Sequence, residues 1–136
     1  ALAVMPFVKY PTASNNLGNG AYEGGVIIPL AVELPWGWGM GVMTEFDINE
    51  NASGSGHHTE FVNSITFAHD IVGDLGGYVE FWSLVPNHNS QKWVGTVDLG
   101  LTYGLTDDIQ LDGGVNIGVT RSAEDISPFL GVSIRF

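Results

Sequence analysis

Cysteine is absent from the 136 residues of this chain, so disulfides, thiolate nucleophiles and cysteine-held metals are excluded. A chain without thiols suits an oxidising compartment. Cations are nearly as scarce. Lys and Arg number 4 against 15 Asp and Glu, for a formal net charge of −11. A surface of that sign repels phosphate backbones, which excludes nucleic acid as a partner. Charge of either sign is thin, at 14% of residues where an ordinary soluble domain carries roughly 25%. Long apolar runs are missing too. The longest, residues 26–32, contains Pro29, so no segment is a candidate membrane-spanning helix. The opening Ala1-Leu-Ala-Val-Met5 has no leader pattern and is expected to begin a strand.

What the chain has in excess is glycine, 19 residues or roughly twice ordinary usage, and a period of two almost everywhere. At the end of the chain Leu130, Val132, Ile134 and Phe136 alternate with Gly131, Ser133 and Arg135. In residues 109–120, Ile109, Leu111, Val115, Ile117 and Val119 alternate with polar positions. In residues 93–104, Trp93, Val97, Leu99, Leu101 and Tyr103 do the same. Helices need apolar residues three and four apart, and none of these segments has that spacing. The same reading gives strands over residues 75–85, 59–71, 38–48, 25–34 and 1–10, with Asn63 the one residue that sits awkwardly on an apolar face. Eight strands and no helix are expected, in one domain spanning 1–136.

The connections alternate in length. Residues 35–37, 73–75 and 105–108 are tight, whereas 11–20, 49–58, 86–92 and 121–127 are longer and polar. An eight-stranded meander with short turns at one end and long loops at the other is the pattern of an antiparallel up-and-down β-barrel, and of a transmembrane barrel above all. Alternation alone does not say which face is inside. Three features favour an apolar exterior. The polar face is rich in Gly, Ser, Thr and Asn but lightly charged. Trp93 and Tyr103 lie on one face about 33 Å apart along a strand, or about 23 Å of height at a ~45° tilt, matching the ~25 Å band between aromatic girdles. Lysine, which ordinarily protects soluble sheet edges, is almost absent.

The segments Asp98-Leu-Gly-Leu-Thr-Tyr103-Gly-Leu-Thr-Asp-Asp108-Ile-Gln-Leu-Asp112-Gly-Gly, Gly131-Val-Ser-Ile-Arg-Phe136 and Met5-Pro-Phe-Val-Lys-Tyr-Pro-Thr12 resemble the outer-membrane transporter family linked to the meta-pathway of phenol degradation. The likeness runs over essentially the whole chain, in strand and turn patterns rather than in chemistry. It implies a transmembrane β-barrel of the Gram-negative outer membrane. Its members are similar to larger barrels, so this chain is either the C-terminal part of a bigger barrel or a shortened eight-stranded relative. Phe136 on an alternating last strand looks like the assembly signal read by the barrel-assembly machinery. The short turns then fall in the periplasm and the long loops outside.

The expected lumen-lining residues are Lys9, Glu33, Glu45, Asp47, Glu60, Glu80, Asp98, Asp112 and Arg135, with Asp70 on the same face. Rings of carboxylates select cations. The same carboxylates could instead belong to a solvated, internally bonded interior, with Lys9 and Arg135 pairing residues such as Glu33 and Asp112, or find counter-charges on strands before residue 1. Inward glycines (Gly39, Gly41, Gly100, Gly114, Gly118) leave room in a narrow lumen, and Phe7, Tyr78 and Trp82 line it or pack it. His57, His58, Glu60 and His88 offer metal-type ligands, but adjacent histidines on a strand point to opposite faces and the spacing matches no metal motif. Ser53 and Ser55 lack a nucleophile elbow and an oxyanion element. No catalytic residue, metal or cofactor is expected. The expected function is passive passage of small, aromatic or hydrophobic solutes, gated by loops 11–20 and 49–58, with outer-membrane lipid as partner and oligomerisation left open. Two alternatives stand: a structural or adhesive eight-stranded barrel with a plugged lumen, and a soluble ligand-binding β-barrel.

Overall fold

A computed structural model describes residues 1–12, 20–51, 54–87 and 92–136. The expected features His88 and Ser53, and most of loop 11–20, lie outside the described residues. The strands are β1 (Met5–Lys9), β2 (Glu23–Glu33), β3 (Trp38–Glu50), β4 (His57–Val72), β5 (Leu75–Pro86), β6 (Val94–Thr106), β7 (Ile109–Gly118) and β8 (Ile126–Ile134). One 3-10 turn, Pro35–Gly37, joins β2 to β3. All eight strands form one antiparallel sheet in sequence order, the meander that short connections dictate.

Local chemistry explains most boundaries. Gly73, at φ 56°, takes the left-handed conformation that turns β4 into β5, where a Cβ would be strained. β1 is shorter than the strand expected over 1–10. Leu2 still bridges Leu30 in the same register, and the Ala3 amide bonds the Pro29 carbonyl at 3.1 Å. Pro29 has no N–H to return, so the ladder breaks there before resuming at Met5. Asn63 does lie on the apolar face. It is satisfied across the β3–β4 pair, where Thr44 Oγ1 donates to Asn63 Oδ1 at 2.8 Å.

The two faces of the sheet are opposite in burial to those of a soluble barrel. Phe81, Val97 and Ile117 share one face across β5, β6 and β7, as do Val79, Leu99 and Val115. Leu99 is 44% exposed and Leu101 52%. One residue away on the same strand, Asp98 is 8% exposed, and Val62 on the polar face of β4 is 6%. The polar face is therefore the recessed side. Among the described residues no large side chain is fully buried, as befits a single sheet with no second layer packed on it.

The expected barrel is not closed. β1 pairs only β2, β8 pairs only β7, and the two edges do not meet. Closure needs β1 and β8 to share a ladder. The edge strands are also the shortest of the sheet, β1 with 5 residues and β8 with 9. What the structure establishes is an all-β, eight-stranded antiparallel meander.

Candidate functional site

The recessed polar face carries the candidate site, and it divides into two tracts. The first lies toward the long loops. There Asp47 on β3 stands opposite Glu60 on β4, and Asn49 opposite His58. Asn49 Nδ2 donates to Glu60 Oε2 at 3.0 Å, His58 Nε2 lies 3.1 Å from Glu60 Oε1, and His58 Nδ1 lies 3.0 Å from Asn51 Oδ1. On the neighbouring strand, Lys9 Nζ donates to Glu23 Oε2 at 2.7 Å, and the Glu50 amide donates to Glu23 Oε1 at 3.2 Å. Carboxylates in this tract are held by amides, an imidazole and an ammonium, which is how buried charge is tolerated. The exception is Asp47, whose Oδ1 is buried with no hydrogen-bond partner.

The second tract crosses β4 to β8 in mid-sheet. Thr66, Glu80, Asp98, Asn116 and Ser127 follow one another across it, each paired with the next. Thr66 Oγ1 donates to Glu80 Oε2, while Asp98 Oδ1 is buried without a partner. The next row is Ala68, Tyr78, Gly100, Gly114 and Phe129. Its glycines are required by the rings. A Cβ on Gly100 would collide with the Tyr78 ring, and one on Gly114 would meet the Phe129 ring and the Leu99–Gly100 backbone. The row beyond holds Gly76, Thr102, Asp112 and Gly131, with the Asp112 carboxylate lying over Gly131.

Space on this face comes from small residues. Open grooves of about 330, 790 and 550 Å³ run along it. Ala31, Gly41 and Thr66 line both of the first two, and Glu33, Gly39 and Ala68 line the second and third. The third ends at Tyr78 and Thr102. Together they make a continuous trough lined by alanine, glycine and threonine, by larger apolar residues such as Leu30 and Met43, and by a few polar groups, able to admit a small solute.

The pairing register thus places the expected Lys9, Glu45, Asp47, Glu60, Glu80, Asp98 and Asp112 on one face, and Glu33 lines the trough near the short turns. The pairings expected for the two cations are corrected. Lys9 is held by Glu23, ten positions along β2 from Glu33, a separation of about 33 Å. Arg135 follows β8 and donates from Nε to Asp108 Oδ1 at 3.0 Å and from Nη2 to the Asp107 carbonyl at 2.9 Å. Its guanidinium sits at the β6–β7 turn, not on Asp112. His57 is exposed and His58 buried, on opposite faces as alternation requires.

Phe129, Glu23 and Thr66 enter the site without having been singled out in the sequence. Parity with Gly131 would have placed Phe129 on the inner face, and parity with Gly25 would have placed Glu23 there. On the outer face, Trp93 Nε1 donates to Ser83 Oγ at 2.9 Å, and Tyr103 lies at the opposite end of β6. Further exposed aromatics extend both ends: Trp36 and Trp38 beside the short turn, and Tyr10 and Tyr22 stacked edge to face (5.8 Å between centroids) beside the long loop. Phe136 lies past the end of β8, fully exposed.

A family model described as "Putative MetA-pathway of phenol degradation" matches residues 1–136. No curated protein and no solved structure matches the chain.

Proposed function

The chain belongs to the family of the MetA-pathway of phenol degradation, and from that premise we propose that it is an outer-membrane β-barrel protein passing small solutes, aromatic or hydrophobic among them, by passive diffusion. The observation that carries this reading is the inversion of the faces. A water-soluble barrel buries its apolar stripe and wets its polar one; here Leu99 and Leu101 are exposed while Asp98, next to Leu99 on the same strand, is covered. Lipid is the solvent that makes such an exterior favourable. The same inversion weighs against a soluble ligand-binding barrel.

The rest of the molecule is consistent with that solvent. Exposed aromatics gather at both strand ends, as girdles do at the two interfaces. Polar groups on the outer face are bonded to each other, Thr44 to Asn63 and Trp93 to Ser83, as hydrocarbon requires. Open sheet edges are not tolerated there, so in the membrane β1 and β8 acquire ladder partners, either each other or further strands. The trough between Ala31 and Tyr78 becomes the lumen, and passage needs no catalytic group.

The test is osmotic swelling of liposomes holding the full chain, with arabinose and with phenyl glucoside as neutral solutes. Insertion is checked independently by heat-dependent mobility on gels. Swelling above protein-free liposomes is the expected result. Inserted protein with no swelling would overturn passage and favour the plugged, structural barrel, the reading in which Tyr78 and Phe129 fill the lumen they line.

A further inference from the structure

The carboxylates of the mid-sheet tract have no counter-charge in their rows. Of the four cations of the chain, Lys9, Lys92, Arg121 and Arg135, only Lys9 belongs to a strand, and it is committed to Glu23. Glu80 and Asp98 face each other directly across the β5–β6 pair, a position where like charges destabilise a sheet and Cβ atoms lie about 5 Å apart. Thr66 donates a hydroxyl hydrogen to Glu80. Asp98 is more than nine-tenths buried, and its Oδ1 has no donor. A buried oxygen of that kind costs free energy unless something positive meets it.

An aromatic face completes the geometry. Tyr78 precedes Glu80 by two residues on the same face of β5, and its ring lies over Gly100, two residues beyond Asp98 on β6. Asp112, two residues from Gly114 on β7 and opposite Thr102, shares that face one row away. Among the described residues no three His, Cys, Asp or Glu side chains converge to hold a metal ion, so the arrangement does not match the many-ligand oxygen cage a divalent ion takes. Two carboxylates beside a π-face match a low-charge cation instead.

We infer that Glu80 and Asp98, with the Tyr78 ring and Asp112 beside them, form a binding site for a small monovalent cation, an alkali ion or an organic ammonium. Of these residues, Tyr78 lines the groove that ends at Thr102. Binding needs only this face of the sheet. The consequence for transport, a lumen that prefers cations to anions, rests on the proposed passage function.

The test uses the full chain, folded in detergent and also reconstituted in planar bilayers. In detergent, intrinsic fluorescence is titrated with potassium chloride and with tetramethylammonium chloride at constant ionic strength. A saturable change is expected, with half-saturation weakened about tenfold, the worth of one lost charge contact of about 1.4 kcal/mol, in Asp98→Asn. Glu80→Gln is the second variant should the first not fold. Tyr78→Leu separates the two ligand sources: it weakens tetramethylammonium if the organic cation uses the ring and leaves potassium nearly unchanged. In bilayers, the reversal potential in a potassium chloride gradient is expected to show cation preference that falls in Asp98→Asn. Saturable binding lost in Asp98→Asn, with no conductance in any form, would keep the site and overturn passage. Conductance with no saturable binding and no change of ion preference in either carboxylate variant would keep passage and overturn the site.

Discussion

Two neighbouring residues of β6 show what separates the faces of this sheet. Asp98 is covered and Leu99 is open, although ordinary hydropathy would assign them the reverse. Both belong to the same ladder and both have a strand partner on each side, Glu80 and Asn116 for one, Val79 and Val115 for the other. What differs is what surrounds each of them on its own face. The inner face is crowded with hydrogen-bonding groups, glycines and laid-down rings. The outer face is a continuous aliphatic and aromatic surface whose few polar atoms are bonded laterally. Alternation is therefore a statement about two faces, and burial is what tells the recessed one from the open one.

The sharpest way to break this comparison is a charge on the outer face. Leu99→Arg is expected to lower stability by about 2–4 kcal/mol in lipid vesicles, the cost of a cation near the bilayer midplane. Gln110→Arg, on the opposite face near a short turn, is expected to stay within about 0.5 kcal/mol. Urea unfolding of both in the same vesicles measures the difference. A Leu99→Arg loss no larger than that of Gln110→Arg would mean that water covers both faces, and the membrane reading would fall with it.

A smaller effect tests the crowding of the inner face. Gly114→Ala puts a methyl group against the carbonyl of Leu99, the Cα of Gly100 and the ring of Phe129. Backbone on two sides leaves little room to relax, so a loss of about 1–3 kcal/mol is expected. Gly104→Ala is the matched control on the same face, because its methyl group would meet Asp74 Cβ at 3.6 Å, ordinary contact. That substitution is expected to change stability by no more than about 0.5 kcal/mol. Equal losses from the two would show that glycine is retained here for backbone reasons rather than to seat the rings.

Much of this was readable in the sequence, for a definite reason. Strand existence, order and face depend on parity, and parity is local: eight alternating segments yield eight strands, and Lys9, Glu45, Asp47, Glu60, Glu80, Asp98 and Asp112 fall on one face, whereas Arg135 lies past the end of β8. Asn63 violates the pattern by sequence and keeps its place by a bond from Thr44 on the adjacent strand, which alternation cannot reveal. The break at Ala3 comes from Pro29, 26 positions away in the chain. Tyr78 was readable as inward, but its seat over Gly100 depends on register between β5 and β6. Closure was the least legible feature. It depends on what β1 and β8 meet, and no local pattern encodes that.

Arg135 is the clearest instance of parity giving a position without giving a partner, and its substitution is expected to have the smallest effect. Alternation sets it on the polar side with Gly131 and Ser133, from which a bond to a carboxylate such as Asp112 follows naturally. The chain leaves the ladder after Ile134, and the freed side chain swings to the β6–β7 turn. There it bonds Asp108 and the Asp107 carbonyl. Its side chain is 76% exposed and that of Asp108 59%, so solvent screens the pair and its worth is at most about 1 kcal/mol. Arg135→Glu is accordingly expected to reduce stability by less than Gly114→Ala does and to leave ion preference in a bilayer unchanged. Reversal potentials and urea midpoints for the same variant check both halves. A shift in ion preference with folding intact would return Arg135 to the lumen, where it would neutralise part of the Glu80–Asp98–Asp112 tract. The cation preference inferred for that tract would then have to be judged against a positive charge on its own face.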